Sequence, residues 1–244
     1  MTVKEHYDKH LGNFYSWMAG NFEEKQAEYE RYFRSNEITA FPGGKKALDL
    51  GAGHGIQSVA LAKLGFQVVA VDFNAQLLQE LRVNAKGLEV DAVESDIVDF
   101  LRHTEQQYDV IVCMGDTLTH LETFSRAKEL IHFMTSRTTH GGKIVLAFRD
   151  LTRELKEEQR FIPVAQDDKR ILTCYLEYFA SHVMVHDILH EKENGKWVQK
   201  ISAYPKLRIS PSMIEEELKG NGLVNIKSET INRMVHLIGM TNDK

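Results

Sequence analysis

The run Asp49-Leu50-Gly51-Ala52-Gly53-His54-Gly55 sets three glycines at alternate positions between an apolar stretch, Ala47–Leu50, and a helix-forming stretch, Ile56–Leu64. Glycines there let the backbone turn sharply and come close to a ligand with no Cβ in the way. The spacing is G-x-G-x-G, whereas the dinucleotide fingerprint is G-x-G-x-x-G. An acid directly ahead of the loop is also a poor neighbour for a phosphate, but it suits an ammonium group. Asp72, followed by Phe73, closes the next apolar run, where a carboxylate can bind both hydroxyls of a ribose. Asp96, after Glu94-Ser95, ends the third expected strand and can accept from an adenine amino group. A ligand with an ammonium, a ribose and an adenine but no phosphate is S-adenosylmethionine (SAM). Gly51, Ala52, Gly53 and Phe73 are then expected beside it, together with Asp49, Asp72 and Asp96.

These residues need strands and helices to hold them, and the chain supplies both. From Lys45 onward it alternates short apolar runs (Ala47–Leu50, Val68–Val71, Val110–Val112, Lys143–Ala147) with helical patterns. One of these is Leu77, Leu78 and Leu81; another runs from Leu121 through Phe124, Ala127, Leu130 and Ile131 to Met134. Such alternation predicts a parallel sheet covered by helices on both faces. Upstream, Tyr7, Leu11, Phe14, Tyr15 and Met18 fall at helical spacing, and Asn21 with Glu24 predicts a capping box on a helix from Phe22 to Phe33. Phe41-Pro42-Gly43-Gly44 breaks the chain before the first strand. Two β-rich stretches, Leu172–His190 and Trp197–Tyr204, flank Glu193-Asn194-Gly195 and predict an antiparallel hairpin. Ser210-Pro211 starts a helix, and Val224–Glu229 with Met234–Met240 forms a closing hairpin. The expected α/β fold is a Rossmann-like, seven-stranded, mostly parallel sheet with an antiparallel terminal strand. The expected domain spans 1–244, with an N-terminal helical arm over 1–42 and a small antiparallel β substrate lobe inserted at about 158–208.

The 244 residues are 43% hydrophobic and 27% charged, with a formal net charge of −5 and no Lys/Arg-rich run. That balance argues against a nucleic-acid partner. The two cysteines, Cys113 and Cys174, sit in apolar runs and read as reduced thiols. The first ten residues are polar and mixed in charge, unlike a signal peptide, and no apolar run approaches the roughly 18 residues of a membrane span. The reading is a cytoplasmic protein without a membrane partner; homo-oligomer formation stays open. His182, His186 and His190 share a predicted strand, where four residues span about 13 Å, too far for one ion. No metal site is expected.

The fourth strand and its exit, Val110-Ile111-Val112-Cys113-Met114-Gly115-Asp116-Thr117-Leu118-Thr119-His120-Leu121, resembles the glycine and glycine/sarcosine N-methyltransferases, which carry G-N-S-hydrophobic-A-H-L there. That family also places an arginine seven residues after a Gly-Gly pair; here Gly141-Gly142 leads to Arg149. Tyr7, Gly20 and Ala27-Glu28-Tyr29 match the family's N-terminal arm, and Ala203-Tyr204-Pro205 is similar to the end of its substrate lobe. The resemblance implies a class I SAM-dependent methyltransferase acting on a small molecule. It also implies that Tyr7 and Lys25 hold the methionyl end of SAM. Met114 and Gly115 would line the cofactor, and Ile97 would lie against the adenine.

Arg149 would face the acceptor, and its planar fork suits a carboxylate. Tyr15 and Tyr204 are candidates for the acceptor pocket. Asp116 departs from the family's asparagine: it would repel a carboxylate unless Arg149 neutralises it, or else bind an ammonium or hydroxyl, or act as general base, as could His120. The leading expectation is methylation of the amine of an amino-acid-like metabolite. O- or C-methylation of a hydroxylated or aromatic metabolite stands beside it, and a non-catalytic SAM-binding protein is the reading from another class.

Overall fold

The computed structural model describes residues 1–40 and 45–242, so the expected break at Phe41-Pro42-Gly43-Gly44 lies outside the described residues. The arm comprises α1 (Val3–Lys9), a single 3₁₀ turn, α2 (Tyr15–Ala19) and α3 (Phe22–Ser35). Sequence spacing had suggested one helix through Tyr7–Met18. The chain instead breaks at His10, whose φ and ψ of −136° and −75° are not helical, and ends α2 at Gly20 with φ +87°. The Asn21 side chain caps α3 by accepting from the Glu24 N–H.

The main sheet takes β1 (Lys46–Leu50), β2 (Gln67–Asp72), β3 (Val90–Glu94), β4 (Tyr108–Cys113) and β5 (Thr138–Phe148), all parallel. The closing strands β10 (Leu223–Ile231) and β11 (Met234–Thr241) form the expected hairpin, and β11 pairs antiparallel with β5. The order is β10-β11-β5-β4-β1-β2-β3. Because β1 lies between β2 and β4, chain order reverses there, and a crevice opens beyond the carboxyl ends of these strands.

Strands buried on both faces read as near-continuous apolar runs, which is why the sequence revealed them. Leu48, Leu50, Ile111, Ile144, Leu146 and Phe148 meet one layer, made by α6 (Ile97–His103), α7 (Phe124–Ser136) and α8 (Pro211–Gly220). Ala47, Val110, Val112 and Val145 meet Phe33 of α3 and Leu61 of α4 (Ile56–Lys63) on the other face. The helix α5 (Ala75–Asn84) packs Leu78 and Leu81 beside Ala70. Side-chain caps start these helices: Asn74 for α5, Asp96 for α6, Thr123 for α7 and Ser210 for α8, each accepting a backbone N–H of the first turn.

The lobe departs from the expected hairpin. It is a four-stranded antiparallel sheet of β6 (Phe161–Gln166), β7 (Arg170–Tyr178), β8 (His182–Glu193) and β9 (Lys196–Leu207), in that order. The apolar stretch read as one strand from Leu172 to His190 folds back after Tyr178, closed by Phe179 N–H to His182 O. The turn at Asn194-Gly195 stands where expected; both residues have positive φ. The inner face of the lobe packs on the arm: Leu172 and Leu189 touch Leu11 and Phe14, while Val183, Val185 and Tyr204 cluster with Val3 and Leu151.

Candidate active site

A cavity of about 1090 Å³ opens at the reversal point and is roofed by the arm. Its floor is the glycine loop. Gly51 has φ +76°, and a Cβ there would strike the Thr117 side chain, so no other residue fits this turn. Gly55, at φ +96°, begins α4 with its α-carbon against Leu81; an added Cβ would lie 2.8 Å from Leu81 Cγ. Asp72, at the end of β2, is buried yet lines the cavity. Its two oxygens accept from the N–H groups of Gly53 and Asn74, each at 2.8 Å. Burial raises its carboxyl above the ordinary value, and these backbone hydrogen bonds partly oppose that rise. An oriented carboxylate with lone pairs to spare, beside a glycine-rich loop, fits a ribose.

The structure brings most of the expected cofactor residues to this wall: Tyr7, Ala52, Gly53, Phe73, Ile97, Met114 and Gly115, with Tyr15 and His120. Asp96 is there too, although one of its oxygens caps α6 and pairs with Arg126 at 3.0 Å. Tyr7 stands edge-on to both Phe73 and His120.

Five expected residues are not on the wall. Lys25 turns to Glu28 on the surface of α3, at 3.0 Å, because the two lie one helical turn apart. Asp49 lies beneath the loop, 1% exposed, accepting from the Ser58 hydroxyl at 2.6 Å. Burial pushes its carboxyl up to about 7, with the Ser58 hydrogen bonds working against the rise. Asp116, Arg149 and Tyr204 sit just behind the wall, next to Gly115, Thr117, His120 and Pro205, which line it.

Asp116 is the hub of that layer. It adopts the left-handed conformation at φ +80° as β4 ends, which turns its carboxylate toward the end of β5. Oδ1 accepts from the Arg149 backbone N–H at 2.9 Å and from the Thr119 hydroxyl at 3.0 Å. Oδ2 accepts from the Arg149 guanidinium at 3.0 Å and from Lys206 Nζ at 2.5 Å. Burial would raise its carboxyl, but Lys206 and Arg149 outweigh that and hold it well below the carboxylate range. Both Asp116 oxygens are thus already engaged, and the two cations lower its affinity for a proton. His120 is neutral, pushed down to about 3 by burial and by Lys206, and its Nε2 is buried with no hydrogen-bond partner.

Lys206 escaped the sequence reading. The signal was there, since Ser202, Tyr204 and Lys206 alternate inward along β9, but a lysine in that row looks like a solvated end. A second buried group, also missed, ties the arm to the lobe. His6 Nε2 meets Asp187 at 3.0 Å, His6 Nδ1 meets the Ser202 hydroxyl at 2.7 Å, and the ring stacks on Tyr204 at 4.1 Å. Burial opposes ionisation of Asp187, but the hydrogen bonds from His6 and Cys174 hold its carboxyl below the ordinary value. The three lobe histidines, His182, His186 and His190, lie four residues apart on one face of β8, with His186 against Glu177 at 3.1 Å.

Comparison with known proteins agrees with this geometry. Residues 47–142 match the methyltransferase domain family model. The chain is similar to a glycine/sarcosine N-methyltransferase of Aphanothece halophytica, with 30% identity over 117 residues, 47% of this chain and 44% of the relative. It is also similar to a ubiquinone biosynthesis O-methyltransferase of Klebsiella pneumoniae, with 33% identity over 103 residues, 41% of each chain. The chain thus spans less than half the length of these curated relatives. A solved S-adenosylmethionine-dependent methyltransferase from Clostridium acetobutylicum superposes with a TM-score of 0.74 over 98% of both chains, at 16% identity. Residues 47–142 are thus a methyltransferase domain, set in the fold of the S-adenosylmethionine-dependent methyltransferases, with SAM as the cofactor of that fold. Among the described residues no helix is long and apolar enough to cross a membrane.

Proposed function

We propose that the chain methylates the amine nitrogen of a small, amino-acid-like acceptor. The observation that carries this reading is the Asp116 hub. One buried carboxylate holds two cations, Arg149 and Lys206, so the layer behind the cavity wall keeps one net positive charge. Arg149 is half exposed and fixed at its backbone and its guanidinium, so its remaining donors are oriented for a carboxylate. Asp116, which alone would repel such a group, is neutralised.

Asp72 and the glycine loop would hold the ribose, and Asp96 with Ile97 the adenine. Tyr7, Met114 and Gly115 would flank the methionyl end. When bound, SAM supplies an electrophilic methyl group on a positive sulfur and a neutral thioether as leaving group. The chain's own contribution is positioning and exclusion of water, which can supply much of the rate. The unpartnered Nε2 of neutral His120 can accept a hydrogen bond from the acceptor's N–H and turn its lone pair toward the methyl group. An amine needs only to be deprotonated before attack, and the positive charges nearby lower its pKa. A hydroxyl acceptor needs a base in the transition state, and neither Asp116 nor His120 has the proton affinity for that role. This favours nitrogen over the O-methylation performed by one of the relatives.

The test is a panel of amino acids, simple amines and hydroxylated metabolites, assayed for S-adenosylhomocysteine release by the purified chain. Turnover of carboxylated amines is expected. Turnover confined to hydroxylated compounds would overturn the proposal, and SAM binding without any turnover would favour the non-catalytic reading.

A further inference from the structure

Six of the eight large apolar side chains that are exposed among the described residues lie on the lobe: Phe161, Val164, Ile171, Phe179, Trp197 and Ile201. Strand register explains why most of them share a face. Directly opposed residues point to the same side of a sheet. The pairings Phe161–Tyr175–His186–Ala203, Pro163–Thr173–Ile188–Ile201 and Ile171–His190–Gln199 are therefore three rows on one face. The opposite rows carry Leu172, Asp187, Leu189 and Tyr204, which pack on the arm, so the apolar rows face away from the rest of the chain. An antiparallel sheet with one face on a core normally turns polar residues outward. Here Ile171 and Ile201 are 40% and 58% exposed, and no carboxylate, lysine or arginine belongs to the three rows. Charges flank these rows: Glu177 at one end reaches His186 at 3.1 Å, Arg160 lies over the Tyr175 ring at 5.1 Å, and Lys192 stands at the other end. An apolar centre with a charged rim is the anatomy of an interface.

We infer that this face docks on the same face of a second copy of the chain. Two features favour a copy over an unrelated partner. The outward row of β8 reads His182, Met184, His186, Ile188, His190, alternating imidazole and aliphatic symmetrically about His186. A two-fold axis crossing β8 at His186 lays Met184 of one copy over Ile188 of the other, and the Glu177 end over the Lys192 end. Self-complementarity of this kind is what an isologous dimer requires. The area also suffices. Four strands about 4.8 Å apart and about nine residues long, at about 3.3 Å per residue, present roughly 600 Å². Two such faces bury roughly 1200 Å², the lower end of stable interfaces. The docked lobes would sit back to back, each with its inner face free to hold its own arm and cavity.

Sedimentation velocity of the full chain at micromolar concentration tests the inference. The expected species has twice the 28.0 kDa mass of one chain. The double variant Ile171→Lys/Ile201→Lys changes only exposed positions and should weaken association by at least about 30-fold, leaving a monomer with unchanged circular dichroism and SAM affinity. His186→Cys, at the proposed axis, should give a covalent dimer on oxidation that the wild-type chain does not. A monomeric wild type, a dimer that survives the double substitution, or a His186→Cys dimer that fails to cross-link would each overturn the inference. None of these outcomes depends on the methyl acceptor.

Discussion

At the scale of single residues, three acids with the same side chain have three different environments. Asp72 is held by backbone N–H groups at the cavity edge, Asp49 is buried with one hydroxyl, and Asp116 is clamped by two cations. Asp72→Ala should lower SAM affinity by roughly 100-fold in calorimetry, through loss of a charged hydrogen-bonding partner; near-native affinity would remove it from the ribose site. Arg149→Ala should raise KM for a carboxylated acceptor roughly 10- to 100-fold while sparing SAM binding, and should leave an acceptor without a carboxylate unaffected. The carboxyl of Asp49 has a raised folded value, so in the absence of SAM its contribution to stability is full below about 4 and is lost as pH rises through about 7. Asp116 has the opposite sign: its contribution is present above the ordinary aspartate value and is lost as acid protonates it. Thermal melts of Asp49→Asn should therefore gain on the wild type as pH rises from about 4 to about 7, and a parallel pH dependence of the two proteins would contradict the buried environment. Sequence showed the type of each acid and its place at a strand end. It did not show which partners surround each, because Lys206 and Ser58 reach them from elements that only folding brings near.

At the scale of elements, the glycine loop and the arm decide whether a cavity exists. Gly51→Ala must accommodate a left-handed φ and a collision with Thr117, so a loss of about 1–2 kcal/mol or more is expected, with SAM binding abolished. The arm is held to the lobe by His6, fully buried against Asp187 and Ser202. His6→Leu would leave Asp187 without its main partner and should cost about 3 kcal/mol. It should also speed proteolysis ahead of Gly20, because α1 roofs the cavity; unchanged protection of residues 1–19 would show that the contact does not fasten the arm. The central strands β1, β2, β4 and β5 were legible from the sequence because burial on both faces makes them largely apolar. The lobe was half legible. Its Asn194-Gly195 turn has an unmistakable signature, but the turn after Tyr178 is Phe-Ala-Ser, with neither glycine nor proline to mark it. The first helix misled for a related reason: Leu11, Phe14 and Met18 keep helical spacing while the backbone bends at His10 to lay them against the lobe.

At the scale of the whole molecule, the cofactor domain and the lobe divide the work. The sheet brings the glycine loop, Asp72 and Asp96 to the cavity at its strand ends, whereas Asp49, the third acid of the sequence reading, lies beneath the loop. The lobe and arm would surround the acceptor of the proposed reaction, and their contacts, Lys206 with Asp116 and His6 with Asp187, join residues 90 or more positions apart. In the proposed reaction, methyl transfer from SAM to an amine takes place beside a neutralised Asp116. Mass spectrometry of the acceptor panel after incubation with SAM tests it most directly. A one-methyl mass gain on the nitrogen of a carboxylated amine is expected, lost or strongly reduced with Arg149→Ala. A methyl group found only on oxygen or carbon, with Arg149→Ala indistinguishable from wild type, would contradict it.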